Sequence, residues 1–275
     1  MRRTTTTLAA TALLTVLIPV APVAARVAPG GARPGTIAPT VAASWVGAPT
    51  ASPVAARLAA AAVAAPAIPG VRRFAIPSST RQVIVVTASS WSSRVATLTL
   101  WRRSGSGWRA VAHWPARLGY SGLVIGTKRN QDTGKTPAGS YTITQAFGRR
   151  ANPGTTISYA KVTDDHWWVE DRRSVYYNQM RLGSRGGFAL RTSGFNSSEH
   201  LARMGTQYDY AAVVDFNRPH PVVGRGAGIF LHAFGTGSTA GCVSVSWLHM
   251  RQVLQWLNAQ DHPRIIIGTR AWLTA

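Results

Sequence analysis

The sequence predicts a mainly β domain with one definite helix, and three observations carry that reading. Short β-branched stretches recur from about residue 80 onward, separated by Gly, Ser and Pro clusters. A single segment near the C-terminus has apolar residues at helical spacing. The chain holds one cysteine, so no internal disulfide framework supports the fold, and a core must do so.

The elements follow in order. "RQVIVVTAS" (81 to 89) and "RVATLTLWRRS" (94 to 104) flank a Ser-rich turn and lead through "GSG" to "WRAVAHW", a meander of short strands. "YSGLVIGT" and "GSYTITQAF" frame the turn-rich "KRNQDTGKTPA". "QYDYAAVVDFN", "GAGIFLHAF" and "RIIIGT" (264 to 269) read as further strands. Residues 247 to 258, "WLHMRQVLQWLN", form the predicted helix, with Trp247, Met250, Val253, Leu254 and Leu257 facing the core and Ser246 as N-cap.

Ahead of these elements lie two segments of different character. Residues 1 to 25 have the layout of a secretory signal peptide: Arg2 and Arg3, an apolar run from Leu8 to Val20, then small residues. The run is too short for a bilayer span, which needs roughly 20 apolar residues. Residues 26 to 70 are dominated by Ala, Pro, Gly, Val and Thr and read as a semi-extended linker. Residues 71 to 275 remain as one domain large enough to bury its own core.

The formal charge is +21, from 30 basic and 9 acidic residues. It is unevenly spread, since the first acidic residue is Asp132: the chain before it holds 15 basic and no acidic side chains, the remainder 15 basic and 9 acidic. Arginines come singly or in pairs, without the long basic run of a nucleic-acid tail, so nucleic acid is not the expected partner. An exported protein of this charge is drawn to anionic envelope polymers. A secreted, envelope-associated monomer is expected.

The chemistry concentrates in "IFLHAFGTGSTAGCVSVS", residues 229 to 246, which holds the lone Cys242. A free cysteine is more often a small buried hydrophobe than a nucleophile. Here, however, it follows Gly241 in a small-residue segment whose amides can point at an oxyanion. It also precedes the predicted helix, whose dipole favours a thiolate if the loop folds toward it. His232, at the end of a strand ten positions upstream, can take the thiol proton and return it to a leaving amine. No second cysteine and no paired-histidine spacing exists for a zinc site, and no cofactor is called for.

That segment is similar to the signature of the L,D-transpeptidase catalytic domain of the YkuD type: a histidine, a loop, Ser or Thr, a short spacer, then Gly-Cys. "GKTPAGSYTI" (134 to 143) resembles the family's Thr-Pro-x-Gly segment, and "YYNQM" with "SSEHLARMGTQYDYAAVVDFN" resembles its exported actinobacterial branch. The resemblance covers roughly residues 80 to 270 and implies a β-sandwich or barrel-like fold. It implies acyl transfer on peptidoglycan stem peptides, with Cys242 attacking the diamino acid carbonyl, D-Ala leaving, His232 as base and then acid, and the Gly241 and Cys242 amides holding the oxyanion. Ser238, Thr239, Ser244 and His200 are the substrate-contact candidates that go with it. Departures are Ala240 two before the cysteine, Ser244 two after it, and a loop of only nine residues between His232 and Cys242. Alternatives stay open: an L,D-carboxypeptidase that uses water, or a wall-binding relative whose thiol is structural. "TTISYAKVTDDHWWVEDRRS" is expected to supply a substrate-side strand and loop.

Overall fold

A computed structural model describes residues 68–275. The signal peptide reading lies outside the described residues, as does the linker reading up to residue 67. Residues 68 to 70 belong to the packed body: Ile68 is buried, and the Gly70 amide donates to Leu273 O at 2.9 Å.

Strands β1 (Gln82–Ala88), β2 (Val95–Ser104) and β3 (Gly107–Arg117) form the predicted antiparallel meander, with a register shift at Leu100/Trp101. Next come β4 (Leu123–Ile125), β5 (Thr136–Thr142), β6 (Gln145–Gly148) and β7 (Ser158–Lys161). They are followed by β8 (His166–Trp168), β9 (Met180–Leu182) and β10 (Glu199–His200). The chain closes with β11 (Ala211–Val213), β12 (Phe230–Ala233), β13 (Val243–Val245), helix α1 (Trp247–Trp256), β14 (Arg264–Thr269) and a five-residue helix α2 (Arg270–Thr274). Eleven strands make one mixed sheet in the order β4-β5-β14-β1-β2-β3-β13-β12-β11-β6-β7, and β10-β8-β9 make a second. The mainly β class with one definite helix is what the structure has. The large sheet does not close into a barrel, and the sandwich-like form is the one adopted.

Within it β1 and β14 form a parallel pair, where Val85 partners Ile266. These strands are apolar without alternation because both faces are covered. Ile84, Val86, Ile265 and Ile267 enter the main core with α1, whereas Val83, Val85 and Ile266 pack on the opposite face against Trp101, Trp108 and Leu273. Each such fully buried aliphatic side chain contributes roughly 1.5–3 kcal/mol.

Helix α1 begins as predicted: Ser246 Oγ accepts the His249 amide at 3.2 Å, and Met250, Val253 and Leu254 are buried. Trp247 is a correction. It lies 40% exposed instead of facing the core, because its indole N–H donates to Asp209 Oδ2 at 3.1 Å and its ring tilts against Tyr210.

Candidate active site

Alternation along β12 divides its side chains between two environments. Leu231 and Ala233 join the main core, while Phe230 turns to a second cluster on the other face of the sheet. His232, two residues on, shares the face of Phe230. Strand β13 runs parallel beside β12, with Leu231 partnering Val243 and His232 partnering Ser244. Cys242, immediately before β13, therefore lies level with Phe230 and in the same cluster. Its Sγ accepts the Phe230 amide N–H at 3.3 Å and donates to Gly228 O at 3.3 Å. The helix-dipole expectation does not hold, because β13 intervenes and α1 starts only at Trp247.

His232 is 4% exposed. Its Nδ1 donates to Ala233 O at 2.6 Å, an assignment that leaves the lone pair on Nε2. Burial pushes the imidazole down to about 4, against the smaller opposing effect of that hydrogen bond, so it is neutral at physiological pH. Tyr208 packs edge-on to the ring with centroids 5.4 Å apart. The structure brings Cys242 and His232 to one face of neighbouring strands, but no hydrogen bond joins them in this resting arrangement.

The thiol opens on a cavity of about 220 Å³ whose lining includes Tyr120, Arg129, Asp132, Glu170, Glu199 and Cys242. Burial raises the thiol well above its ordinary range, the Glu199 carboxyl raises it further, and the Phe230 N–H and the Arg129 guanidinium offset part of this. The resting pair is thus a neutral thiol and a neutral imidazole. Glu199 accepts the Tyr208 hydroxyl at 2.6 Å; burial still lifts its carboxyl to about 7. Glu170 is held well above the carboxylate range, first by burial and then by Glu199 and Asp132. Arg129 is spent on backbone, its Nε donating to Lys135 O at 2.8 Å and an Nη to Arg225 O at 3.1 Å.

The loop before Cys242 is braced rather than open. Thr239 Oγ1 donates to Cys242 O at 2.7 Å and accepts the Gly241 amide at 3.2 Å. Thr136, in the "TPAG" segment, is fully buried; its hydroxyl accepts the Gly119 amide at 2.8 Å and donates to Cys242 O at 3.4 Å. Gly241 has φ +140°, and a Cβ there would lie 2.9 Å from an Arg129 Nη and 3.0 Å from Lys135 O. Only glycine fits that backbone.

The remaining candidates separate. Ser238 is exposed on the loop. Ser244 is wholly buried beside His232, with no partner for its hydroxyl among the described residues, and its burial puts it out of a substrate's reach. His200 stacks on Trp167 at 4.3 Å and bonds to Asp164 O at 2.5 Å, lining a different cavity with Leu190 and Arg203. Alternation in β10 turns its neighbour Glu199 toward the thiol instead. Glu170, Glu199, Tyr208 and Arg129 are the residues sequence reasoning missed. One signal was available: Glu170 and Glu199 are the only two glutamates in the chain.

The model of the L,D-transpeptidase catalytic domain, YkuD, matches residues 82–268, a span that contains the large sheet except the last residue of β14 and both Cys242 and His232. The chain belongs to this family. A solved structure, Bdellovibrio bacteriovorus Bd1075, is 17% identical with a TM-score of 0.35, over 69% of this chain and 48% of that one. The match thus spans about half of the Bdellovibrio chain. No curated protein is significantly similar to the sequence. Within the YkuD fold of this chain, the Thr-Pro-x-Gly segment acts through Thr136, which fixes the carbonyl of the cysteine. Glu199 comes to the cavity from the small second sheet.

Proposed function

We propose that this YkuD-family chain is a cysteine acyl transferase acting on peptidoglycan stem peptides outside the cell. The thiol of Cys242 attacks the carbonyl joining the L-centre of a diamino acid to D-Ala; its proton passes to Nε2 of His232. Collapse of the tetrahedral intermediate breaks the C–N bond, the imidazolium gives its proton to the leaving D-Ala amine, and a thioester remains. An amine of a second stem then displaces the thiol to form an L,D cross-link. The Gly241 amide is engaged by Thr239, so the Cys242 amide is the better of the two oxyanion donors.

The observation that carries this reading is the tautomer and placement of His232. Its Nδ1 is tied to a main-chain carbonyl and its Nε2 is the basic nitrogen, on the sheet face that also carries the chain's one thiol. Because no hydrogen bond links the two at rest, substrate binding must bring them together, a common behaviour of catalytic hydrogen bonds.

One observation favours a second reading. The thiol is 7% exposed and bonded to two backbone groups, as a structural cysteine would be. The intact mass of the purified protein mixed with a disaccharide tetrapeptide ending in D-Ala, with Cys242→Ala beside it, separates the two. An adduct equal to the donor minus D-Ala, formed only with Cys242 present, supports acyl transfer; D-Ala release without an adduct supports rapid resolution by water. Neither adduct nor D-Ala from folded protein leaves the wall-binding relative.

A further inference from the structure

Both glutamates of a chain with 9 acidic and 30 basic residues line one cavity, and that cavity also holds its only thiol. They arrive from distant parts of the chain, Glu170 just after β8 and Glu199 on β10. Among the described residues neither makes an ion pair, although the charge of Arg129 offsets part of the burial of Glu170. Arg129, the one basic residue lining the cavity, bonds to main-chain carbonyls, and Asp132 is taken by Arg172. Glu199 accepts the Tyr208 hydroxyl, whereas the Glu170 carboxyl has neither a hydrogen bond nor an ion pair among the described residues. Its Oε1 lies against Gly228, where a Cβ would be only 2.3 Å away, and Gly228 O accepts the Cys242 thiol. A half-buried carboxyl without a partner is costly, and two facing one space raise each other's cost.

We infer that Glu170 and Glu199 form a receptor for a primary ammonium group of the peptide substrate, seated beside Cys242. An ammonium supplies three donors and one positive charge, which two carboxylates can take up together. The described residues contain no group of three or more His, Cys, Asp or Glu placed to hold a metal ion, so an organic cation fits better than a metal. The receptor rests on the acyl-transfer reading only in taking the stem peptide as ligand. A diamino acid side chain offers such an amine on both the donor stem and the acceptor stem. A bound cation also acts on the nucleophile, because negative charge forming on Sγ then meets a compensated pair of carboxylates.

The test uses Cys242→Ala protein, which binds without reacting, titrated with a disaccharide tetrapeptide whose diamino acid amine is either free or acetylated. The expected result is at least tenfold weaker binding of the acetylated peptide, with that difference largely lost in Glu170→Gln and in Glu199→Gln. Binding of the free amine should also release a proton to buffer, seen as a dependence of the binding enthalpy on buffer ionisation, because the cation draws the carboxyls into their ionised form. A purely structural glutamate pair gives no such release. Equal binding of the two peptides, a difference that survives both substitutions, or no binding of either overturns the receptor. Thioester formation by the wild-type protein is read separately. Amine-dependent binding with neither thioester nor D-Ala release from the wild-type protein sinks acyl transfer and leaves the receptor standing. If acetylation of the donor slows thioester formation the cation belongs to the donor stem, and if resolution of a preformed thioester by the free amine slows in Glu170→Gln and Glu199→Gln it belongs to the acceptor.

Discussion

His232 and Ser244 are register partners across β12 and β13, and the Ser244 hydroxyl is fully buried with no hydrogen-bond partner among the described residues. A desolvated, unbonded hydroxyl lowers stability, by about 1–3 kcal/mol in comparable cases. Ser244→Ala is therefore expected to raise the stability of the folded protein by roughly 1 kcal/mol, read as a higher urea midpoint at unchanged slope. A lower midpoint would show that the hydroxyl finds a partner in solution.

The thiol should be slow to react. Burial and the Glu199 carboxyl both oppose the thiolate, and Gly228 and Phe230 hold the sulfur in place. Alkylation of Cys242 by iodoacetamide near neutral pH is expected to run at least about tenfold slower in the folded protein than in urea. Equal rates in the two states would mean a thiolate already formed at rest.

Acid stability follows from His232. Its folded value of about 4 lies below the free value of 6.5, so between those limits the unfolded chain binds a proton that the folded chain does not. Stability from this residue is present above pH 6.5 and is lost as pH falls toward 4, to a total on the order of 3 kcal/mol. Glu199 has the opposite sign: its folded value of about 7 exceeds 4.5, so its contribution falls as pH rises through that window. His232→Gln should flatten the acid limb and Glu199→Gln the neutral limb of a stability-pH curve. An acid limb unchanged by His232→Gln would mean that the imidazole titrates normally in the fold.

Tyr208 links the two sides of the site, its ring against His232 and its hydroxyl on Glu199. That hydrogen bond favours the ionised carboxylate, so Tyr208→Phe should move the Glu199 titration upward. Carbon-detected NMR of labelled glutamate reads this directly, since the chain has only two. A downward shift would contradict the geometry.

Gly241→Ala is expected to be severe. Its φ of +140° is closed to other residues, and the added methyl would meet a guanidinium and a carbonyl oxygen. A loss of about 1–3 kcal/mol is expected from the backbone strain alone, measured by thermal unfolding alongside Ala240→Gly as a control in the same loop.

Much of the fold was legible because it lies in strands with strong local signals. β1, β2, β3 and β14 are long and β-branched, and α1 has a clear apolar spacing behind a serine cap. β13 was not legible: its three residues, Val-Ser-Val, follow a loop and carry no period of their own. Missing it is what misplaced the helix dipole at the thiol. Cys242 and His232 could be singled out from residue chemistry and loop spacing. Glu170 and Glu199 could not, because their convergence depends on the small sheet β10-β8-β9, whose strands are two or three residues long and form only through tertiary contact. Thr239 and Ser238 were read alike as substrate contacts, yet one is a brace and the other is exposed, a distinction made by the approach of residues 118 to 120.

The carbonyl of Cys242 is gripped by Thr136, a residue 106 positions earlier, and the strand that carries Thr136 pairs with β14, near the end of the described chain. Without residues 264 to 269 the ladder with β1 cannot close, and β5, which carries Thr136, has no neighbour on that side. A polypeptide cut before β14 keeps its sulfhydryl but loses the strand that β5 leans on, so the hold of Thr136 on the Cys242 carbonyl depends on a strand that touches neither residue of the pair.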